Sequence, residues 1–174
     1  MAQTLKSVPL EAEHIAAGGK MVEFAGYSMP VQYTGIKEEH NVVRNGVGLF
    51  DVSHMGKVPV YGPGAVEFLN SILANDLDRI PVGKAQYSML CTQAGGVVDD
   101  LIVFRLSDDE VRIVPNAANA ATVRDALGAG LPEGITLTDL HEAEGILAIQ
   151  GPGSRGVMVA LGLLDPDDDL PYMA

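Results

Sequence analysis

The sequence predicts an α+β fold: mainly antiparallel sheets with flanking helices. Three observations carry that prediction. Between Lys57 and Leu140 the apolar pattern changes period in the order strand, helix, strand, strand, strand, helix, strand. Two of those strands, GVVDDLIVFRL and EVRIVP, are joined only by the polar run SDDE, a hairpin connection that makes the pair antiparallel. The two helical stretches, 65–74 and 116–128, then fit best on one face of a single antiparallel sheet.

Taken in order, residues 8–18 (VPLEAEHIAAG) read as a short helix stopped by Gly18-Gly19. MVEF (21–24) is a brief strand, and AGYSMPVQY, with Pro30, an ordered loop. In GIKEEHNVVRNGV (35–47), Ile36, Val42 and Val43 share a helical face that ends at Asn45-Gly46. GLFDVSHMGKVPVYGP then runs extended to Pro63. Residues 65–74 (AVEFLNSILA) give the clearest helix, with Val66, Leu69 and Leu73 on one stripe. QYSMLCT is a strand, the SDDE hairpin follows, and NAANAATVRDALG is a second helix capped by Asn116 or Asn119. ITLTDL and GILAIQG are strands, and a last helix covers 154–162. The 57–140 order resembles a ferredoxin-like unit with one added strand. The segments on either side of it read as two parts of another subdomain.

Composition narrows the function. The chain has 174 residues, 47% hydrophobic and 20% charged, which suits a globular chain with a real core. A net charge of −12 with no basic stripe argues against nucleic acid as a partner. Cys91 is the only cysteine, so no intramolecular disulfide can form, and it reads as a core thiol in an apolar strand. No apolar run reaches the roughly 18–20 residues of a membrane span, and MAQTLKSVPLEAEHIAAGG lacks a secretory pattern. A cytoplasmic protein without a membrane partner is the expectation.

AGGVVDDLIVF (94–104) sets the chemical question. Side chains alternate along a strand, so Asp100 shares a face with Val98, Ile102 and Phe104, and Asp99 with Val97, Leu101 and Val103. Both faces are otherwise apolar, the pattern of a strand covered on both sides. An unpaired buried carboxylate is costly. Either the acids have a purpose, or Gly95-Gly96 turns the chain and both sit at its wet rim.

Other motifs carry less. GPGSRG (151–156) matches a dinucleotide-loop spacing, but the remaining 18 residues cannot complete the second strand of a βαβ unit, so an ordinary strand-to-helix turn is expected. His14, His40, His54 and His141 lack metal-ligand spacing and read as surface or hydrogen-bonding side chains; no metal is expected. No G-x-S-x-G elbow is present. Asp51, Ser53 and His54 are too close along an extended chain to form a triad, so DVSHM reads as structural by composition. DPDDD (165–169) is a solvated turn.

Five segments stand together in one order: GGKMVEFAGYSMPVQY, GLFDVSHMGK, AGGVVDDLIVF, NAAN and LAIQGP. In that order they resemble the N-terminal half of the glycine cleavage system T-protein (aminomethyltransferase) family, over nearly the whole chain. The resemblance implies a longer three-domain parent, with 1–55 and 141–174 in a discontinuous first domain and 56–140 as the second. It implies transfer of the one-carbon unit from an aminomethyl-lipoyl H-protein to tetrahydrofolate, giving 5,10-methylenetetrahydrofolate and ammonia. The second aspartate of its G-G-x-x-D-D motif falls on Asp100, which becomes the expected key acid in a pocket. Expected folate contacts are Met55, Tyr87, Asp100, Ile102 and Asn116. Asp99 is left a supporting role, accepting backbone N–H bonds near the Gly95-Gly96 turn. Tyr27, in FAGYSMP, replaces a tryptophan often seen there in the family, a mild change. The same folate-binding module occurs in dimethylglycine- and sarcosine-oxidising flavoproteins and in iron–sulfur-assembly proteins, whose K-G-C-x-x-G-Q-type motif is absent from these residues but could lie downstream of them. An inactive fragment is the third reading.

Overall fold

A computed structural model describes residues 4–173. In chain order it contains α1 (Glu11–Ala16), β1 (Met21–Phe24), β2 (Tyr27–Pro30), α2 (Ile36–Asn45), β3 (Gly48–Asp51), β4 (Val58–Tyr61) and α3 (Ala65–Asn70). A 3-10 turn (Leu77–Arg79) precedes β5 (Lys84–Cys91), β6 (Val97–Arg105), β7 (Glu110–Val114), α4 (Ala120–Ala129), β8 (Thr136–Leu137), β9 (Leu147–Gln150) and α5 (Ser154–Ala160). The chain divides into two compact units. One holds the described residues up to His54 with Gly145–Asp169; the other holds Met55–Glu144 with the residues from Leu170.

The second unit is a five-stranded, fully antiparallel sheet in the order β5-β6-β7-β4-β8. Strands β8-β4-β7-β6 follow the ferredoxin-like order, and the added strand is β5, at the sheet edge beside β6. Val58, Val60, Leu90, Leu101, Val103, Val111 and Ile113 point to one face, where Leu69 of α3 and Val123 and Leu127 of α4 complete the core. Val60, Leu69, Val103, Ile113, Val123 and Leu127 are fully buried, each stabilising the fold by about 1.5–3 kcal/mol. The opposite face carries Tyr87, Met89, Asp100, Ile102 and Phe104, and Tyr87 and Met89 are exposed. The apolar character of β6 on both sides therefore does not mean cover on both sides. Only the Leu101/Val103 face packs against helices.

Residues 170–173 lie with the second unit, where Ala85 N–H donates to the Met173 carbonyl at 2.8 Å at the edge of the sheet. The first unit holds a hairpin, β1-β2, and a two-stranded antiparallel pair, β3-β9.

Several expectations change. AGYSMPVQY is not a loop throughout: Tyr27–Pro30 pairs with β1. The hairpin turns on Ala25 and Gly26, both at positive φ (51° and 84°), as a two-residue primed turn demands; alanine hides that signal. The 48–63 run is not one extended segment but two strands in different sheets, separated by a turn at 53–55. The helix expected over 65–74 ends at Asn70, because Ser71 Oγ donates to the Phe68 carbonyl and Leu73 bridges to Leu90 instead. In ITLTDL the regular strand is Thr136–Leu137, and the Thr138 and Leu140 N–H groups continue along β4 by donating to the Pro59 and Lys57 carbonyls. Cys91, at an irregularity in the β5 register, is half-buried rather than a core thiol.

Candidate functional site

Asp99 and Asp100 sit side by side on β6 and have opposite fates. Asp99 is on the helix-covered face, opposite Leu90, and is 2% exposed. Asp100 is on the open face, opposite Met89, and is exposed. The wet-rim reading thus fails for Asp99.

Burial of Asp99 is tolerated because its carboxylate is surrounded by donors. Its Oδ2 accepts the backbone N–H of Asn116 at 2.9 Å; its Oδ1 accepts Asn116 Nδ2 at 3.1 Å and Asn119 Nδ2 at 2.6 Å. These partners lie in the loop between β7 and α4, not at the Gly95-Gly96 turn, where Thr92 serves the backbone. Of the two expected caps of α4, the structure has Asn119. Asn119 occupies the cap position but makes no side-chain cap bond; its Nδ2 donates to Asp99 Oδ1 instead. Asn116 Nδ2 also reaches the Asp100 carbonyl at 2.7 Å and Asp100 Oδ1 at 3.2 Å, so one amide ties the two acids together.

The other expected folate contacts lie in the same unit. Tyr87 and Ile102 are directly opposed across β5 and β6, two residues along from the Met89–Asp100 pair, so all four share the open face. Met55 approaches through the neighbouring Gly56. Gly56 N–H donates to the Pro115 carbonyl at 3.0 Å, and a Cβ on Gly56 would meet Pro115 Cγ at 2.6 Å and Ala120 Cβ at 2.9 Å. A side chain at 56 would push Met55 and Gly56 away from the loop carrying Asn116. The Met55 carbonyl itself pairs with His141 Nδ1 at 3.2 Å. Asn119, which the sequence offers only as a helix cap, and Met89 join these residues in the structure. The repeated asparagine in NAAN was the available signal for the first, and the pairing register alone reveals the second.

The first unit holds a separate polar chain. His14 Nε2 stands 3.0 Å from Asp51 Oδ2, and His14 Nδ1 stands 2.8 Å from the Tyr33 hydroxyl. Burial pushes the Asp51 carboxyl up, but hydrogen bonds from Ser53 and His14 outweigh it and hold the group below its ordinary value. Burial, with the carboxylates of Glu39 and Asp51, raises Tyr33. The three side chains line a 550 Å³ groove with apolar neighbours including Ile36, Val42 and Leu49. GPGSRG is the expected strand-to-helix turn between β9 and α5, with Gly151 and Gly153 against the C-terminal end of α2. Among the described residues no group of three or more His, Cys, Asp or Glu is arranged to hold a metal, and no helix is long and apolar enough to cross a membrane.

The sequence pattern of the GCVT N-terminal domain matches residues 10–174. The chain belongs to the GCVT N-terminal domain family. Its relatives include the aminomethyltransferase of Mycobacterium bovis, 54% identical over 164 residues, spanning 94% of this chain and 45% of the relative. The aminomethyltransferase of Frankia alni is 49% identical over 161 residues, 91% of this chain and 44% of that protein. The crystal structure of the glycine cleavage system aminomethyltransferase T from Bartonella henselae superposes with a TM-score of 0.90 at 37% identity. The match covers 97% of this chain and 46% of that one. This GCVT-family chain therefore spans about half the length of the relatives it matches.

Proposed function

We propose that these residues supply the acid and one pterin-facing wall of an aminomethyltransferase. The reaction takes the one-carbon unit from an aminomethyl group on the lipoyl arm of an H-protein and delivers it to tetrahydrofolate. The carbon–sulfur bond breaks, the dihydrolipoyl thiol is released, the amine leaves as ammonia, and the carbon ends bridging two folate nitrogens as 5,10-methylenetetrahydrofolate. Membership in a family whose relatives are named aminomethyltransferase supports this reading. The observation that carries it is Asp100: an exposed carboxylate on the open sheet face, with Tyr87 and Ile102 beside it and an asparagine amide bonded to it.

The chemistry follows from those groups. A carboxylate can only accept hydrogen bonds when ionised, and the reduced pterin offers N–H donors. Charge becomes positive at the carbon as its amine departs, and a fixed negative group nearby favours that state. The same carboxylate can take or relay the proton released from the attacking nitrogen. Tyr87 and Ile102 give an apolar floor for a flat ring, and a ring lying there would itself exclude water from Asp100, strengthening its field. Holding both reactants at one face adds the advantage of proximity.

Calorimetric titration of the chain with 5-formyltetrahydrofolate, beside Asp100→Ala, tests the reading. Binding that the variant loses supports it. Equal binding by both proteins, or none by a folded full-length parent carrying these residues, overturns the assignment of the pterin to them.

A further inference from the structure

The buried acid Asp99 has no place in the transfer chemistry, yet it makes more side-chain hydrogen bonds than Asp100. Its effect falls on Asn116. Three oxygens surround Asn116 Nδ2: Asp99 Oδ1 at 3.1 Å, the Asp100 carbonyl at 2.7 Å and Asp100 Oδ1 at 3.2 Å. All three are acceptors. Turning the amide over would bring its carbonyl oxygen against them with no hydrogen between, so only one orientation is compatible with the site. Both Nδ2 hydrogens are then spent inside the protein, and Oδ1 is the atom of this amide left for a ligand.

We propose that Asp99 is a positioning residue that fixes the orientation of Asn116, making the ligand-facing edge of the site acceptor-only: Asn116 Oδ1 beside the Asp100 carboxylate. Asn119 completes the device by holding Asp99 Oδ1 in place at 2.6 Å. Such an edge selects a ligand that presents adjacent N–H donors and disfavours one that presents bare ring nitrogens. A pterin presents such adjacent donors at its 2-amino and N3–H groups, so the device bears on affinity. The inference rests on the folate reading for the identity of the ligand, but not for the orientation of the amide.

Asp99→Asn tests it with almost no change of shape. A neutral amide has one acceptor oxygen where the carboxylate had two. Whichever way the introduced amide turns, its NH2 faces either the Asn116 backbone N–H or the two asparagine side chains. Two measurements are made on the 174-residue chain. The first is exchange of the Asn116 side-chain amide protons by NMR. In the wild type they should exchange at least tenfold more slowly than in a free primary amide, and Asp99→Asn should abolish that protection. The second is the affinity for 5-formyltetrahydrofolate, expected to fall at least tenfold in a variant whose circular dichroism is unchanged.

Protection absent in the wild type, protection kept in Asp99→Asn, or lost protection with unchanged affinity would each overturn the proposal. Protection seen in the wild type and lost in the variant, with no folate bound by either or by a folded full-length parent carrying these residues, would uphold the positioning role and sink the folate reading instead. If Asp99→Asn does not fold, the wild-type exchange measurement together with the affinity of Asn116→Ala decides. Affinity equal to wild type in Asn116→Ala overturns the proposal; a tenfold loss supports it.

Discussion

Asn116 is held by Asp99 through both its backbone and its side chain: the N–H donates to Oδ2 at 2.9 Å and Nδ2 donates to Oδ1 at 3.1 Å. That double attachment joins the loop after β7 to β6, 17 residues earlier in the chain. It explains how a carboxylate can be buried in a core otherwise made largely of leucine, valine and isoleucine. It also separates the two adjacent acids into a buried one and an exposed one.

Asp100→Asn should leave the fold intact and depress aminomethyl transfer by orders of magnitude in an enzyme carrying these residues. The side chain is exposed, and exposed substitutions typically change stability by within about 0.5 kcal/mol. Thermal melting beside a turnover assay checks both halves. Normal turnover would remove Asp100 from the mechanism.

Leu69→Ala should destabilise the second unit by about 2–5 kcal/mol, the usual cost of truncating a fully buried leucine. Leu69 is completely buried between the sheet and its helices. Urea unfolding would show a lowered midpoint with an unchanged slope. A loss under about 1 kcal/mol would mean that the core relaxes to fill the space.

Gly151→Ala should destabilise the first unit by at least about 1–3 kcal/mol. Gly151 adopts φ 122°, and a Cβ there would collide with the carbonyl oxygens of Val43 and Gly46. This separates a packing role for GPGSRG from a ligand-binding one, because the damage should appear in a melting curve with no ligand added. An unchanged melting temperature would count against the packing role.

Ala25→Asn should stabilise the β1-β2 hairpin. Ala25 has φ 51°, a left-handed conformation that costs an ordinary residue roughly 1–2 kcal/mol and that asparagine adopts more readily. A rise in melting temperature of the first unit is expected, and a fall would contradict the turn assignment.

Asp51 gives the chain an acid-sensitive contribution. Its folded-state pKa lies below its ordinary value, so ionised Asp51 stabilises the folded chain at pH above that ordinary value. The contribution is lost as pH falls through the lower folded-state value, because the unfolded chain takes up the proton first. Asp51→Asn should therefore melt at a lower temperature than wild type near neutral pH, with the gap closing below about pH 4. A gap that stays constant through the acid range would exclude this carboxylate as the cause.

By itself the sequence determined the α+β class, the 57–140 strand and helix order, and the family. The first two are local: period-2 and period-3.6 patterns and the SDDE turn are written in neighbouring residues. Membership follows from five motifs in one order, and the family match over residues 10–174 agrees with it. Tertiary structure decided what local pattern could not. Alternation put Asp99 and Asp100 on opposite faces, but β6 is apolar on both, so only the packing of α3 and α4 determined which acid would be buried. The partners of Asp99 are 17 and 20 residues away, and a hydrogen bond across that separation exists only once β7 has paired with β6 and brought the NAAN loop beside it. Ala25 hid the β1-β2 turn for a related reason: its left-handed backbone is imposed by the pairing of the two strands and not by its own preference.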